Sequence, residues 1–356
     1  MVKLGDVINV HYGKALKADQ RVSNGSVHVF GSSGIVGNHD KTLCSYPTII
    51  IGRKGSVGAI TWAPDGGWII DTAYYVEIKD NNKLDLRYLF YILSGIDLTK
   101  KTITTSIPGL NRDDLYDTFI KLPPFEEQKR IVDLLDKAEG IRQKREQAIK
   151  LADDFLRATF ATMYGNPITN PKKWPVHLMG EIIEFKGGNQ PPKSDFIFEP
   201  KQGYIRLVQI RDFKSDKYAT YIPQEKAKRI FEVDDVMIAR YGPPVFQILR
   251  GLSGSYNVAL MKASPKENIR KGFIFYLLQL PEYHGVVVKN SERTAGQTGV
   301  NLELLNKFNV PLPPIYYQDE ILARLARIEK FKEKIEISLN HLEMQFLSLQ
   351  KRLMGF

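Results

Sequence analysis

Residues 120–131 read IKLPPFEEQKRI, and residues 310–321 read VPLPPIYYQDEI. Both stretches share a Leu-Pro-Pro frame followed by a glutamine, so that Leu122 and Gln128 are matched by Leu312 and Gln318. The two copies lie 190 residues apart, which is more than half of the 356-residue chain. A junction repeated at this distance predicts that the protein is an internal duplication.

The repeat extends upstream of the junction. Three further pairs of stretches match between the halves, and they are GLN at 109–111 with GVN at 299–301, RYLFYIL at 87–93 with GFIFYLL at 272–278, and IIIGRKG at 49–55 with VMIARYG at 236–242. Each half therefore contains a variable module that is followed by the shared junction.

A long helix is predicted after each junction. Steps of about 3.5 residues through 321–353 meet ten positions, nine of them apolar, which is typical of a coiled-coil seam. The same register in 131–163 is apolar at seven of ten positions. Arg142 and Lys332 occupy equivalent seam positions. Either their long stems pass beside apolar neighbours, or their charges limit the pairing to one antiparallel register.

The predicted fold class is α+β, with two mixed α/β modules joined by two long antiparallel helices in a pseudo-twofold internal repeat. The modules cover residues 1–120 and 166–309, and the helical regions cover 121–165 and 310–356. Runs rich in β-branched and aromatic residues predict strands at 47–51, 68–78, 204–210 and 236–239. Apolar periodicity predicts helices at 86–93 and 273–280.

Composition indicates a folded cytoplasmic protein. The chain is 43% hydrophobic and 25% charged, as globular proteins are. Its single cysteine, Cys44, allows no intrachain disulfide and suits a reducing compartment. The start of the chain has no secretory apolar region, and no apolar run approaches the roughly 18 residues that cross a membrane. We therefore expect no membrane association.

The net charge of +10 is unevenly distributed. Residues 1–120 carry 13 basic and 12 acidic side chains, whereas residues 166–309 carry 21 and 14. A basic excess concentrated in one module favours a polyanionic partner such as nucleic acid. An evenly solvated basic surface is the simpler alternative.

Two short patterns resemble parts of catalytic sites. Asp65, Glu77 and Lys79 have the order of a Mg²⁺-dependent PD-(D/E)xK nuclease site, although a Pro-Asp-Gly-Gly turn before a charged surface strand explains the same residues. Gly242-Pro243-Pro244 resembles the loop of amino-methyltransferases, but glycine replaces the residue that must accept from the target amine. Six histidines show no metal-ligand spacing. We therefore predict no catalytic residue, no metal site and no enzyme.

The predicted DNA-binding residues centre on two matched loops. Arg53, Lys54 and Ser56 follow an apolar strand in a glycine-rich loop, and Arg53 can fork onto a guanine or a phosphate. Arg240 and Tyr241 occupy the matching position in the second module. The remaining candidates are His28, Ser32, Ser33 and Asn38 in the first module and Arg206, Gln209, Arg211, Arg293, Thr294 and Gln297 in the second. For each residue taken alone, a solvated surface side chain is the alternative.

The doubled arrangement resembles the specificity subunits of type I restriction–modification systems. The resemblance covers essentially the whole chain and rests on GLNRDDLYDTFIKLPPFEEQKRI at 109–131 and GVNLELLNKFNVPLPPIYYQDEI at 299–321. The second copy departs at Tyr316-Tyr317, which replaces Glu126-Glu127, so the two junctions need not contact a partner equally.

The resemblance implies a non-catalytic subunit. Its modules would be target recognition domains that each read one half of a bipartite, gapped site in double-stranded DNA. Its helices would set the gap and dock two methyltransferase subunits, which bring S-adenosylmethionine and methylate adenine, so this chain would bind no cofactor. The resemblance leaves open whether a motor–nuclease restriction subunit joins. A self-sufficient nuclease and a protein-binding scaffold are the competing interpretations.

Overall fold

A computed structural model describes residues 1–103, 109–242, 244–293 and 299–354 of the chain. The chain divides into two compact units. Unit 1 comprises Met1–Glu146 and Glu336–Phe356, and unit 2 comprises Gln147–Ile335. Each unit therefore contains one of the predicted modules together with a segment of each long helix.

The first half of the chain contains eleven described strands and four described α-helices. The strands are β1 (Val2–Lys3), β2 (Ile8–Tyr12), β3 (Val27–Gly31), β4 (Gly34–His39), β5 (Thr48–Gly52), β6 (Ile60–Ala63), β7 (Trp68–Ile69), β8 (Ala73–Ile78), β9 (Thr102–Ile103), β10 (Gly109–Leu110) and β11 (Phe119–Ile120). The helices are α1 (Leu4–Val7), α2 (Leu86–Gly95), α3 (Arg112–Tyr116) and α4 (Phe125–Tyr164).

The second half repeats this order with small differences. Its strands are β12 (Val176–Leu178), β13 (Ile183–Gly187), β14 (Tyr204–Val208), β15 (Tyr221–Pro223), β16 (Ile230–Phe231), β17 (Val236–Ala239), β18 (Ile248–Leu249), β19 (Gly254–Tyr256), β20 (Leu260–Pro265) and β21 (Asn309–Pro311). Its helices are α5 (Met179–Ile182), α6 (Lys271–Leu277), α7 (Pro281–Arg293), α8 (Leu302–Asn306) and α9 (Ile315–Met354).

The sheets of the two units have matching topologies. An antiparallel sheet in the order β2-β8-β5-β6 in unit 1 corresponds to β13-β20-β17-β18 in unit 2. A second sheet contains the order β4-β3-β7 in unit 1 and β15-β14-β19 in unit 2, with a parallel pair formed by β3 and β7 or by β14 and β19. The predicted α+β fold with an internal repeat is confirmed.

Each unit has its own apolar core. Strands β5 and β17 are buried along their whole length, as a central strand with a covered sheet face requires. In unit 1 the core joins Ile49 and Ile51 to Tyr88 and Leu89 on α2, and in unit 2 the corresponding helix α6 contributes Phe273. Among the described residues, no helix combines the length and apolar character that a membrane span requires.

The repeated glutamine of the junction connects two helices through buried hydrogen bonds. Gln128 is fully buried, and its Nε2 donates to the carbonyl oxygens of Lys83 (2.8 Å) and Pro123 (2.9 Å), while its Oε1 accepts from the N–H of Asp85 (2.9 Å). Since Asp85 is the N-cap of α2, this side chain connects the start of the long helix to the start of a core helix.

Gln318 repeats this arrangement in unit 2. It is also fully buried, and it donates to the carbonyl oxygens of Asn268 (2.8 Å) and Pro313 (2.9 Å) and accepts from the N–H of Arg270 (2.9 Å), the N-cap of α6. The glutamine is repeated in the junction because three equivalent backbone groups hydrogen-bond to it in each unit.

The two long helices are equivalent. Helix α4 and helix α9 each contain 40 residues and begin directly after the paired prolines, which fit ahead of a first turn but not within a helix. All twenty predicted seam positions in 131–163 and 321–353 are buried or partly buried. The heptad pattern therefore predicted the packed face of both helices correctly.

Within each unit the segments of α4 and α9 run antiparallel. In unit 1, Arg145 donates to the carbonyl oxygen of Ser338 (2.7 Å), and Ile131 shares a core with Leu349. In unit 2, the amino group of Lys332 pairs with Asp153 at 2.7 Å across the helices. The Lys332 contact agrees with a role in fixing the register, whereas Arg142 pairs with Glu139 and Glu146 on its own helix.

Three predicted elements differ from the structure. The strand at 68–78 is broken into β7 and β8, because the chain turns at residues 70–72. The strand at 204–210 ends at Val208, and a 3₁₀ turn, Ile210–Phe213, follows it. The helix at 273–280 is the shorter α6, and α7 begins at Pro281, where proline suits a first turn.

Candidate nucleic-acid interface

The loop between β5 and β6 carries the first predicted arginine. The N–H of Leu110 donates to the carbonyl oxygen of Arg53 (3.0 Å), and Lys54 forms a bridge with Gly109. The Gly-Leu-Asn turn of the repeat therefore holds the start of this loop. A Cβ at Gly52 would lie only 2.0 Å from the carbonyl oxygen of Ser56, so the loop folds back on a position that only glycine fits.

Arg53 lies against aromatic rings. Its guanidinium carbon is 5.1 Å from the ring centroid of Tyr12 and 5.7 Å from that of Tyr74, which are cation–π distances. Burial raises the pKa of Tyr74 to about 12, so its hydroxyl stays protonated and donates to the carbonyl oxygen of Leu110 (2.9 Å). The long bond from Arg53 Nη1 to the carbonyl oxygen of Asp71 (3.4 Å) leaves most donors available.

The β3–β4 turn lies beside this loop. The Oγ of Ser32 is 3.4 Å from the position of a Cβ on Gly55, and Ser33 is exposed in the same turn. His28 and Asn38 are register partners farther along the hairpin and hydrogen-bond to each other at 3.0 Å. The structure therefore brings Ser32 to the arginine loop, together with the exposed Lys54 and Ser56, but it does not bring His28 and Asn38 there.

Unit 2 has the equivalent loop between β17 and β18. The N–H of Val300 donates to the carbonyl oxygen of Arg240 (3.1 Å), and Tyr241 forms a bridge with Gly299. The guanidinium of Arg240 lies 5.1 Å from the ring centroid of the exposed Tyr241. The sequence match between the two arginines is thus repeated in their backbone hydrogen bonds.

The arrangement around Arg206 corrects one prediction. The predicted strand at 204–210 contains Arg206 and Gln209 and ends next to Arg211, but in the structure Gln209 and Arg211 both lie beyond the end of β14. Arg206 pairs with Asp216 at 2.7 Å, and Arg211 donates to the carbonyl oxygen of Tyr218 (3.3 Å). Gln209 Nε2 donates to Thr220 at 3.4 Å. The three side chains therefore do not form one outward-facing row, and Arg206 is already neutralised.

Three of the predicted DNA-binding residues, Arg293, Thr294 and Gln297, precede the Gly299-Val300-Asn301 turn. Thr294 and Gln297 lie outside the described residues. Arg293 is the last residue of α7, and its role stays a prediction.

Two residues near Arg53 were missed by the sequence analysis. Arg112 is the first residue of α3, and its guanidinium lies 5.3 Å from the ring centroid of Tyr12 and 5.8 Å from that of Tyr116. A signal was present, because Arg112 directly follows the repeated Gly-Leu-Asn turn. Tyr12 ends strand β2, and nothing in its sequence neighbourhood marks it.

The nuclease pattern does not form a site. Glu77 pairs with His11 at 2.9 Å, and the Lys79 amino group donates to the carbonyl oxygen of Gly5 (2.5 Å). Within the described ranges, no group of three or more His, Cys, Asp or Glu side chains could hold a metal ion.

The family model "Type I restriction modification DNA specificity domain" matches residues 1–151 and 171–343. The chain belongs to this family. The predicted specificity subunit is therefore confirmed, and nothing found in the comparisons supports the nuclease alternative. The match covers both modules and both junctions, as the internal repeat requires.

Relatives and solved structures agree with the family. The chain is 22% identical over 336 residues to the type I restriction enzyme EcoBI specificity subunit of Escherichia coli, covering 83% of this chain and 70% of that protein. It is 21% identical over 305 residues to the MjaVIII specificity subunit of Methanocaldococcus jannaschii, covering 74% and 69%.

Two solved structures show the same fold. The S subunit of a type I restriction–modification system from M. genitalium has a TM-score of 0.59 at 16% identity, covering 99% of this chain and 95% of that one. A chain solved in work on complex assembly and conformational transition of the type I R-M system has a TM-score of 0.56 at 18% identity, covering 99% and 97%.

Proposed function

We propose that this chain is the non-catalytic DNA-reading subunit of a type I restriction–modification complex, and that each unit reads one half of a bipartite, gapped double-stranded site. One observation carries the proposal. The same backbone hydrogen bond holds an arginine loop in both units, from Leu110 to Arg53 and from Val300 to Arg240. Two loops held alike and carrying different side chains suit two half-sites of different sequence.

The base-reading role is proposed for Arg240 and Tyr241. Within the part of the chain that the structure describes, Arg240 forms no ion pair, and its Nε is buried without a hydrogen-bond partner. A guanidinium that is not neutralised can present two parallel N–H groups to the O6 and N7 atoms of guanine. The ring of the adjacent Tyr241 lies 5.1 Å from that guanidinium, at a cation–π distance.

The partners that we propose are two methyltransferase subunits. Each unit exposes several large apolar side chains on its helix segments, and such side chains are available to a protein partner. They include Ile141, Met344 and Leu347 in unit 1 and Leu151, Phe155 and Phe331 in unit 2. Exposed apolar side chains on the helix segments of both units suit one methyltransferase subunit for each unit. Those subunits would bind S-adenosylmethionine, and a restriction subunit would be a further partner of the complex.

A map of methylated adenines in the native host tests the function. The map is compared between cells with this gene intact, deleted, and complemented by the wild type or by Arg240→Ala. The expected result is that deletion removes one gapped, two-part motif and that Arg240→Ala relaxes bases in only one of its halves. An unchanged map in a host that expresses the gene would refute the proposal. A protein-binding scaffold would also leave the map unchanged.

A further inference from the structure

Unit 1 contains a cluster of two arginines at one exposed tyrosine. The guanidinium carbons of Arg53 and Arg112 lie 5.1 Å and 5.3 Å from the ring centroid of Tyr12. The Tyr12 side chain remains 47% exposed, although it ends a strand of the central sheet. Two positive groups therefore converge at a ring that is open to solvent.

Neither arginine is neutralised within the described ranges of the chain. Arg53 makes only the long bond to the carbonyl oxygen of Asp71 (3.4 Å), and the Nε of Arg112 is buried without a hydrogen-bond partner. By contrast, Arg270 pairs with Asp319 at 2.8 Å. Partly desolvated cations without a counter-charge are unfavourable. The two guanidinium carbons lie no more than 10.4 Å apart, because they are 5.1 Å and 5.3 Å from the same ring centroid, so the two charges also repel each other. An anion bound between them would relieve both costs.

The backbone fixes this cluster in advance of binding. Leu110 donates its N–H to the carbonyl oxygen of Arg53 (3.0 Å), and its own carbonyl oxygen accepts from the hydroxyl of Tyr74 (2.9 Å). Arg112 begins α3 two residues later, and Tyr12 is the register partner of Tyr74. Leu110 and the pairing of β2 with β8 therefore hold Tyr12, Arg53 and Arg112 in place, so little ordering is needed when a ligand binds.

Unit 2 does not repeat the cluster. Gly187 ends β13 at the register position that Tyr12 occupies in β2, and Leu302 begins α8 as Arg112 begins α3. Arg240 instead extends over the glycine, with its Nη1 3.1 Å from the position of a Cβ there. One arginine therefore stands in unit 2 where unit 1 has two arginines and a tyrosine.

We propose that Tyr12, Arg53 and Arg112 together bind one phosphate of the DNA backbone in the half-site read by unit 1. The inference rests on the proposed DNA-reading function and deepens it. A phosphate fits better than a base edge, because it carries a full charge and several acceptor oxygens that two guanidiniums and a hydroxyl can share. A guanine edge offers two acceptors, which a single guanidinium already satisfies. Unit 1 is thus anchored here without reading sequence.

The test measures duplex binding by the complex reconstituted with methyltransferase subunits. Affinity is measured for a duplex with the methylation motif and for an unrelated duplex, each over a series of salt concentrations. Arg112→Gln is expected to weaken binding to both duplexes by about tenfold and to reduce the slope of log K against log salt by about 1. Arg112→Lys keeps the charge and should keep the slope, which a misfolded variant would not do.

The matched control is Arg130→Gln. Arg130 is exposed on α4 and pairs with Glu127 at 2.8 Å, so this variant removes the same charge away from the cluster. It should leave both affinities and the slope unchanged. A second variant, Tyr12→Phe, retains the ring and removes the hydroxyl donor. It should lower the affinity for both duplexes by the same factor.

The outcomes separate this inference from the function on which it rests. The phosphate assignment is overturned if Arg112→Gln leaves the affinity for both duplexes unchanged. It is also overturned if the variant lowers the affinity for the motif duplex alone and relaxes the choice of one base. In both cases the DNA-reading function stands. If the wild-type complex does not distinguish the motif from the unrelated duplex, the DNA-reading function fails. In that case a lower salt slope for Arg112→Gln would still support a phosphate contact.

Discussion

The buried glutamine of each junction should stabilise the start of the neighbouring core helix. Gln318 donates to the carbonyl oxygens of Asn268 and Pro313 and accepts from the N–H of Arg270, which caps α6. Gln318→Ala removes all three hydrogen bonds. At about 1 kcal/mol net for each bond, the anchoring of α6 should lose about 3 kcal/mol of free energy.

Amide hydrogen exchange of the intact protein measures this loss locally. A change of about 3 kcal/mol corresponds to an increase of about 150-fold in the opening equilibrium of the helix. Gln318→Ala should therefore accelerate exchange in α6 and leave α2 unchanged. Gln128→Ala is the matched variant, because Gln128 makes the same three bonds to the start of α2. It should accelerate exchange in α2 and leave α6 unchanged.

A small effect would refute this reasoning. Asn268 and Arg270 are themselves exposed, so water could replace part of what the amide provides. If Gln318→Ala accelerates exchange in α6 by less than about fivefold, the amide contributes less than about 1 kcal/mol. Gln318→Met, which retains volume without the amide, separates the lost hydrogen bonds from a packing defect and should behave like the alanine variant.

Three further predictions concern DNA binding, methyltransferase binding and the nuclease alternative. Arg240→Ala should weaken duplex binding by about 1–3 kcal/mol and relax one half of the motif; an equal loss for every sequence in a binding assay would contradict base reading. Phe155→Glu charges an exposed apolar side chain and should weaken methyltransferase binding at least about tenfold in a titration. Gln147→Glu, an equal charge at an exposed polar site, should not. Glu77→Ala removes only an exposed pair with His11 and should leave the methylation map unchanged, whereas loss of Mg²⁺-dependent cleavage by the purified protein would support a nuclease.

The fold could be predicted where the sequence repeats or is periodic. The heptad register predicted the packed faces of α4 and α9 because a helix presents the same side every seven residues or so. The match of 49–55 with 236–242 predicted two equivalent central strands, β5 and β17. By contrast, the break between β7 and β8 occurs in a continuous β-rich run, where the local pattern carries no signal of the turn.

The candidate site was less predictable because it is assembled from distant segments. Arg53 could be identified from its glycine-rich loop and its repeated position. Tyr12 comes from another strand, and only the pairing of β2 with β8 brings it near the loop. Arg206 was predicted to be available to DNA, but it is neutralised by Asp216. This acid lies outside the predicted strand at 204–210, so the strand pattern gave no sign of the ion pair.

The two arginine loops show which part of the repeat is constrained. The loops re-enter the sheet through residues with positive φ, Gly58 at +76° and Phe246 at +62°. Glycine adopts this conformation freely, whereas phenylalanine does so at a cost that its surroundings must offset. Phe246 is fully buried in the core of unit 2, where its ring lies 5.5 Å from that of His284. The loop path is therefore imposed by the backbone frame even against residue preference. The exposed positions of the loop, Lys54 and Tyr241, differ between the units, as the proposed reading of two unlike half-sites would require.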